Sequence, residues 1–500
     1  MRGLKTHVAK IRHQVFTEVA RIAYESDNLF EDIESIPFKV CPGEVPTVLN
    51  SIYHERAIVS ERVRLALGLS LRPEDRHVRF TTGIEESLAA EKYYEPPLMQ
   101  VIPSACQKCE DHKFVITDQC MGCTAHPCMT VCPRKAISRI QGKAFINQDL
   151  CAKCGKCKKA CPYGAIAYKK RPCLSSCGVR AIGIDQHGRA KINNDICVSC
   201  GMCMVSCPFG AIADKSQIFQ LIRCLKQGEE VIAEIAPAFP GQFGTNATQR
   251  NVKASLLKLG FAQVYEVALG ADIGAIVETH HFVEKVVKGD QPFMLTSCCP
   301  AWAVLAKREL KEMAGQVSQE LTPMVATARS IKQKHPQAKV VFIGPCTAKK
   351  LEAMRRTVRS DVDFVITFEE LWAMFRAKNL EPTKCQGDSS FHDATGAGRG
   401  YAASGGVIKA INKCLAQYYP EIEIKTDHVE GLFDCKKMLL LAKAGKRNGY
   451  LIEGMGCPGG CIGGAGTIMP IEKAREEIEK TVSASSQDIP PVDLLDIKLN

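Results

Sequence analysis

The 500-residue sequence predicts three parts: a mainly helical N-terminal region, small cysteine-dense α+β modules, and an α/β domain of parallel sheets whose strands end in cysteine loops. Three observations carry this. Sixteen of the 26 cysteines fall between residues 106 and 207. Residues 1–95 hold a single cysteine, Cys41. Beyond residue 230, short apolar runs bounded by Gly and Pro lead into Cys298-Cys299, Cys346 and the Cys457/Cys461 pair. A chain of this length accommodates about three domains. The composition divides it at 1–95, 96–216 and 217–472, with a helix and tail over 473–500.

In the first part, "SIYHERAIVSERVRLALGL" spaces Ile, Val and Leu among Arg and Glu as an amphipathic helix does. "YYEPP" (93–97) reads as a linker. The opening "MRGLKTHVAKIRHQVF" has no continuous apolar core of a signal peptide, and no run of about 18 apolar residues suggests a membrane span. The expectation is a cytoplasmic chain, where disulfides are rare and dense cysteine means metal. The net charge of +11 counts amino acids alone. An oxidised four-iron cube with four thiolates carries about −2, so about five cubes would cancel nearly all of it. Nucleic acid is therefore not inferred as a partner.

The second part contains a duplication. "CPRKAISRIQGKAFINQDLCAKCGKCKKACPYGAIA", from Cys132, aligns with "CGVRAIGIDQHGRAKINNDICVSCGMCMVSCPFGAIA", from Cys177, with one inserted residue. Each carries Cys-x2-Cys-x2-Cys-x3-Cys-Pro, the spacing of a two-cluster bacterial ferredoxin, in which three cysteines hold one cube and the fourth ligates its neighbour. This rule groups Cys120, Cys123, Cys128 and Cys161 as one [4Fe–4S] site, and Cys132, Cys151, Cys154 and Cys157 as a second. Cys177, Cys197, Cys200 and Cys203 make a third. Cys173 and Cys207 then need two more thiols, and "CQKC", Cys106 and Cys109, supplies them. Zinc in four-thiolate sites is the plain alternative. For Cys106 and Cys109, the options of no cluster or another metal stay open. A file of cubes moves single electrons.

In the third part, "QPFMLTSCCPAW", "AKVVFIGPCTAKK" and "GYLIEGMGCPGGC" read as buried parallel strands running into thiols. "PAWAVLAKRELKEMA" and "SGGVIKAINKCLAQ" read as helices. Ligands of α/β sheets collect outside the carboxyl ends of strands, so the three loops are expected to converge on one metal site. "TGAGRG" (395–400) partly resembles a phosphate loop but follows no predicted strand.

"TSCCP", "PCTAKK" and "EGMGCPGGCIGGAG" resemble the three signature stretches of the [FeFe]-hydrogenases, and the resemblance spans about 218–470. It implies a catalytic domain holding a cubane joined to a diiron subsite with CO, CN⁻ and a bridging dithiolate. Cys299, Cys346 and Cys457 would ligate the cubane and Cys461 would bridge to the diiron unit. The glycines of the third stretch would let the backbone approach this cofactor. The implied reaction is 2H⁺ + 2e⁻ ⇌ H₂ in anaerobic hydrogen metabolism. Electrons would come from a ferredoxin-like carrier through four accessory clusters, and maturation factors would supply the diiron unit. Cys298 matches the proton-donating thiol, Glu278 and Ser318 the next relay members, and Lys349 a hydrogen-bond donor to cyanide. Positions 322–324 (Thr322, Pro323, Met324), Gly344 and Met455 match places that contact the diiron unit. His281 stands where many members have glutamate, Gly344 where methionine is usual and Met324 where glutamine is usual. The same resemblance admits a non-catalytic iron–sulfur assembly protein or an H₂ sensor. Retention of Cys298 and the Cys457/Cys461 pair favours the enzyme. Cys41, Cys224, Cys385, Cys414 and Cys435 are isolated and read as small buried hydrophobes. Adjacent His280 and His281 cannot share a helix face.

Overall fold

The computed structural model describes residues 3, 6–88, 97–355, 360–387, 390, 391, 394–491 and 494. The linker expected at 93–97 falls on 93–96, outside the described residues. Helices His7–Glu25, Leu29–Val40 and Ile52–Ala66 dominate the N-terminal region. Thr6 starts the first of them, its hydroxyl accepting from the Ala9 amide at 3.2 Å. Val15, Val19, Ala20 and Ala23 are buried along one face of that helix. They share a single apolar core with the sheet residues Val231, Ala233 and Ile235.

The helix predicted within 51–69 forms at Ile52–Ala66, but its polar side does not face water. Glu55, Glu61, Arg62 and Arg64 are buried. The Glu55 carboxylate accepts from the Thr47, Val48 and Leu49 amides at 3.0, 2.6 and 2.8 Å, which pins the preceding loop. Arg62 donates to the Gly210 carbonyl in the next part of the chain. The charged positions bind backbone, which a hydropathy pattern does not reveal.

The cysteine-dense part is built from two-stranded antiparallel pairs. Lys113–Ile116 pairs with Ile166–Lys169, and Ile137–Ile140 with Lys143–Ile146. Met99–Val101 pairs with Ile212–Asp214, and Ile182–Ile184 with Ala190–Ile192. The duplicated stretches follow one another, but the folded modules are nested along the chain. The first lies between the two strands, 99–101 and 212–214, that close the second. This nesting is why "CQKC" precedes the first unit while serving the second.

The α/β part has two parallel sheets. One orders its strands Gln263–Glu266, Val231–Ile235, Lys339–Gly344, Phe364–Thr367; the other orders Met294–Leu295, Tyr450–Met455, Lys425–Glu430. Every pairing in both is parallel. The predicted helices appear as Pro300–Glu309 and Gly406–Tyr418. Trp302 is fully buried, donates from Nε1 to the Thr296 carbonyl at 3.0 Å, and lies on Gly454, where a Cβ would come within 2.1 Å of its ring. The final helix is Ile471–Ser483. Among the described residues no helix is long and apolar enough to cross a membrane.

Candidate functional site

Four Cys-x2-Cys turns share one backbone shape. The residue before the second cysteine is left-handed in each: Lys108 (φ 49°), Gly122 (61°), Lys153 (54°) and Ser199 (52°). Three of these are not glycine, so the tight loop is imposed at some strain. "CQKC" thus adopts the conformation of the other three turns, two of which open a full ferredoxin run. Amides point at the sulfurs: Ala136 N–H to Cys132 Sγ at 3.3 Å, Ala181 N–H to Cys177 Sγ at 3.2 Å and Ala211 N–H to Cys207 Sγ at 3.4 Å. Such bonds stabilise charged sulfur.

Three sets of four thiols ring closely similar voids. Cys120, Cys123, Cys128 and Cys161 surround one, and Cys132, Cys151, Cys154 and Cys157 a second. Cys106, Cys109, Cys173 and Cys207 surround the third. The fourth set, Cys177, Cys197, Cys200 and Cys203, gathers closely enough for neighbouring thiolate charge to raise Cys197, Cys200 and Cys203, after burial as the main cause. Among the described residues, no three His, Cys, Asp or Glu side chains close around the position of one bare ion. Soft sulfur donors around a void of this kind suit a cube of iron and sulfide.

The sites are tied in a file. Phe114 lines the Cys151 site, and its strand begins just after Asp111. The Asp111 carboxylate accepts from the Arg171 amide at 2.8 Å, and Arg171 Nε donates to the Cys109 carbonyl at 2.7 Å, at the wall of the Cys106 site. Cys173 of that site and Cys203 of the Cys177 site pack in one apolar cluster. From there the Ser199 carbonyl accepts from the Thr347 hydroxyl at 2.7 Å. Thr347 follows Cys346.

At that end, strands Val231–Ile235, Met294–Leu295, Lys339–Gly344 and Tyr450–Met455 direct their carboxyl ends toward one cavity, larger than the void at the other sites. Cys298, Cys299, Cys346, Cys457 and Cys461 all line it, so the loops from both sheets converge as the strand pattern predicts. The rest of the lining is nearly all apolar, with Ala236, Pro237, Phe342 and Tyr401 among it. Burial pushes the Cys346 thiol up to about 12 and raises Cys461 further. Cys298 is held well above the ordinary thiol range by burial first and by Glu278 second. The Gly456 amide donates to Cys299 Sγ at 3.3 Å. Lys349 lines the cavity and gives its ammonium to Glu352 Oε2 at 2.6 Å. Burial works against that charge, Glu352 outweighs it, and the net pKa is raised.

The family model described as the C-terminal domain of the iron only hydrogenase large subunit matches residues 229–465, the span that carries all five cavity cysteines. The chain is an [FeFe]-hydrogenase-like protein. Models of an LdpA Fe-S cluster-binding domain and a 4Fe-4S dicluster domain match 124–170 and 150–211. Iron hydrogenase 1 of Clostridium pasteurianum is 28% identical over 68% of this chain and 67% of its own length. The periplasmic [Fe] hydrogenase large subunit of Nitratidesulfovibrio vulgaris is 28% identical over 51% of this chain and 73% of its own. A cytosolic Fe-S cluster assembly factor of Danio rerio is 22% identical over 50% of this chain and 74% of its own.

In this [FeFe]-hydrogenase-like protein, Pro323, Met324, Met455 and Lys349 line the cavity, whereas Thr322 and Gly344 do not. A Cβ on Gly344 would stand 2.4 Å from the Phe342 ring, so that ring takes the space of a side chain at 344. Glu278 and Ser318 lie outside the cavity, behind Cys298. Glu278 is raised to about 7, by burial first, while the Ser318 hydroxyl and Ser297 amide pull it down. His281 does not stand alone: its Nδ1 meets Glu320 Oε1 at 2.6 Å, while the His280 ring turns to the Tyr419 hydroxyl at 2.9 Å. Glu320 also donates its amide to Ser318 Oγ at 3.3 Å. Sequence reasoning missed Glu320, Phe342, Tyr401 and the Ala236-Pro237 strand end. Of these, only "VIAEIAPAF", an apolar run closed by proline, carried a readable signal. "TGAGRG" forms the short helix Gly396–Gly400, where the Gly398 amide donates to buried Asp272 at 2.8 Å.

Proposed function

We propose that the chain is a hydrogenase that interconverts protons, electrons and H₂, with a cubane held by Cys299, Cys346, Cys457 and Cys461 and joined through Cys461 to a diiron subsite. The observation that carries this reading is the single cavity lined by five thiols from three strand ends. Soft donors, apolar walls and the Tyr401 hydroxyl, which lacks a hydrogen-bond partner among the described residues, fit an occupant larger than a cubane. When bound, the diiron unit supplies the metal at which protons and electrons combine.

The chain's own residues supply the rest. Cys298 keeps its proton at neutral pH, at the cavity wall, and can hand it inward. Glu278, near 7, suits reloading that thiol, because a relay works best when its pKa lies near the operating pH. Ser318 joins Glu278 to the half-exposed His281–Glu320 pair, which faces solvent. Apolar lining excludes bulk water, and the file of thiol sites sets the direction from which electrons arrive.

Similarity to the Danio rerio assembly factor supports a second reading, a protein with clusters but no turnover. Infrared spectra and H₂ assays of the matured protein separate the two. The hydrogenase reading expects terminal CO and CN⁻ bands and turnover, with Cys298→Ser keeping the bands while losing at least about a hundredfold in rate. Absence of the bands after maturation with a complete assembly system rejects it.

A further inference from the structure

The duplication places two copies of one loop in opposite surroundings. Cys151–Cys161 reads "CAKCGKCKKAC" and Cys197–Cys207 reads "CVSCGMCMVSC". Their backbones match, with Lys153 at φ 54° against Ser199 at 52°, and Gly155 at 74° against Gly201 at 73°. In the second copy, Val198, Ser199 and Met204 are buried, and Gly201 packs so tightly on Ala465 and Thr347 that a Cβ would stand 2.4 Å from Ala465 Cβ. That loop delivers its site to the five-cysteine cavity through a permanent contact. In the first copy the positions matching Val198, Ser199 and Met204 are Ala152, Lys153 and Lys158, all exposed, and Lys156 and Lys159 are exposed as well. Cys154, at their centre, is the one exposed cysteine of the 26. Leu150 and Tyr163 stand open beside it, 54% and 52% exposed.

The charge around this loop is unusual for the chain. Residues 120–170 hold ten Lys and Arg against one acidic residue, Asp149, while the whole chain is only +11. Two oxidised cubes at about −2 each still leave that module clearly positive. A buried, uncharged loop is the mark of a permanent contact. An exposed loop with a cationic rim and a few open apolar side chains is the mark of a transient one, steered by charge.

We infer that the Cys151–Cys161 loop is the docking surface for an acidic single-electron carrier protein, which exchanges one electron with the site behind Cys154. The inference rests on the electron-transfer reading of the modules. It does not require H₂ turnover.

The test mixes the whole reconstituted protein with a reduced acidic two-[4Fe–4S] bacterial ferredoxin and follows bleaching of its clusters by stopped flow over a range of salt. Lys156→Glu with Lys158→Glu is expected to lower the second-order rate constant at low salt at least about tenfold and to flatten its salt dependence. Reduction by dithionite and iron content stay as in the parent. Lys159→Glu, whose chain neighbours are not cysteines, gives the same sign should the double variant lose iron. Equal rates for parent and variants at full iron content overturn the inference. So does an equal loss from Lys437→Glu, on a distant exposed helix face. A protein that is reduced rapidly but makes no H₂ contradicts the proposed hydrogenase and leaves the docking result standing as its own answer.

Discussion

Glu278 shows how much one side chain can carry. It is a fully buried carboxyl held near 7 by loss of solvent, against an ordinary value of 4.5. The folded protein therefore binds a proton that the unfolded chain gives up above pH 4.5. Stability contributed at this site falls as pH rises from about 4.5 to about 7, and the deficit at neutral pH is on the order of 3 kcal/mol. Glu278→Gln should remove that dependence. Chemical denaturation at pH 5 and pH 8 is expected to show the variant gaining on the parent at the higher pH; a gap independent of pH contradicts the assignment. The same variant should slow H₂ turnover, because the amide cannot pass a proton. At this scale the sequence was readable where a motif fixed the neighbours, as with Cys298 beside Cys299. It was silent on Glu320, whose partner His281 lies about forty residues away and meets it only when the helix and loop pack.

Among the elements, the strands were the clearest signal and the reasons for the glycines the least clear. Apolar runs closed by Pro or Gly marked Met294–Leu295, Lys339–Gly344 and Tyr450–Met455 because a strand buried on both faces admits little else. The glycine-rich stretch after the last of these was expected to make room for a cofactor. Its glycines serve several neighbours. Gly456, Gly460 and Gly464 line the cavity, but a Cβ on Gly460 would meet the Ala403–Ser404 backbone and one on Gly464 the Pro345 carbonyl, while Gly454 makes room for Trp302 and Gly466 for Thr367. Composition cannot separate a glycine that faces a ligand from one that faces another side chain. Gly454→Ala should lower stability by about 2–3 kcal/mol through overpacking against the rigid indole. Denaturant midpoints of parent and variant measure this, and a change below about 0.5 kcal/mol shows that the ring can move aside. The nested arrangement of the two modules was invisible in the same way, since strands of three residues at 99–101 and 212–214 leave no periodic trace.

For the molecule as a whole, the parts are bound together through buried charge as well as apolar surface. Lys350, next to the expected Lys349, is fully buried and reaches Asp214 at 2.8 Å and Glu370 at 2.9 Å. It joins the last strand of the cysteine-dense part to the α/β part. The motif "PCTAKK" drew attention to the first lysine because that one faces the cavity; the second is the joint. Lys350→Ala leaves two carboxylates buried together, and the expected cost is about 3–5 kcal/mol. Thermal unfolding followed separately by cluster absorbance and by far-ultraviolet dichroism should resolve two transitions in the variant. A single unshifted transition contradicts the role of Lys350 as a joint.

The core shared by the first helix and the parallel sheet also sets a timetable for synthesis. His13 stacks on Trp372 with ring centroids 6.4 Å apart, and Arg12 pairs with Glu369 at 2.6 Å. The helix His7–Glu25 finds these partners only after roughly 350 more residues, which at about 5–20 residues per second is a wait of roughly 18–70 s. Throughout that interval the helix His7–Glu25 can pack on Leu29–Val40 and Ile52–Ala66, and later on Ile218–Lys226, while its face toward Phe368–Ala377 stays open. Until then the nascent chain carries that face open, with the thiols of residues 106–346 already made and in need of reducing surroundings.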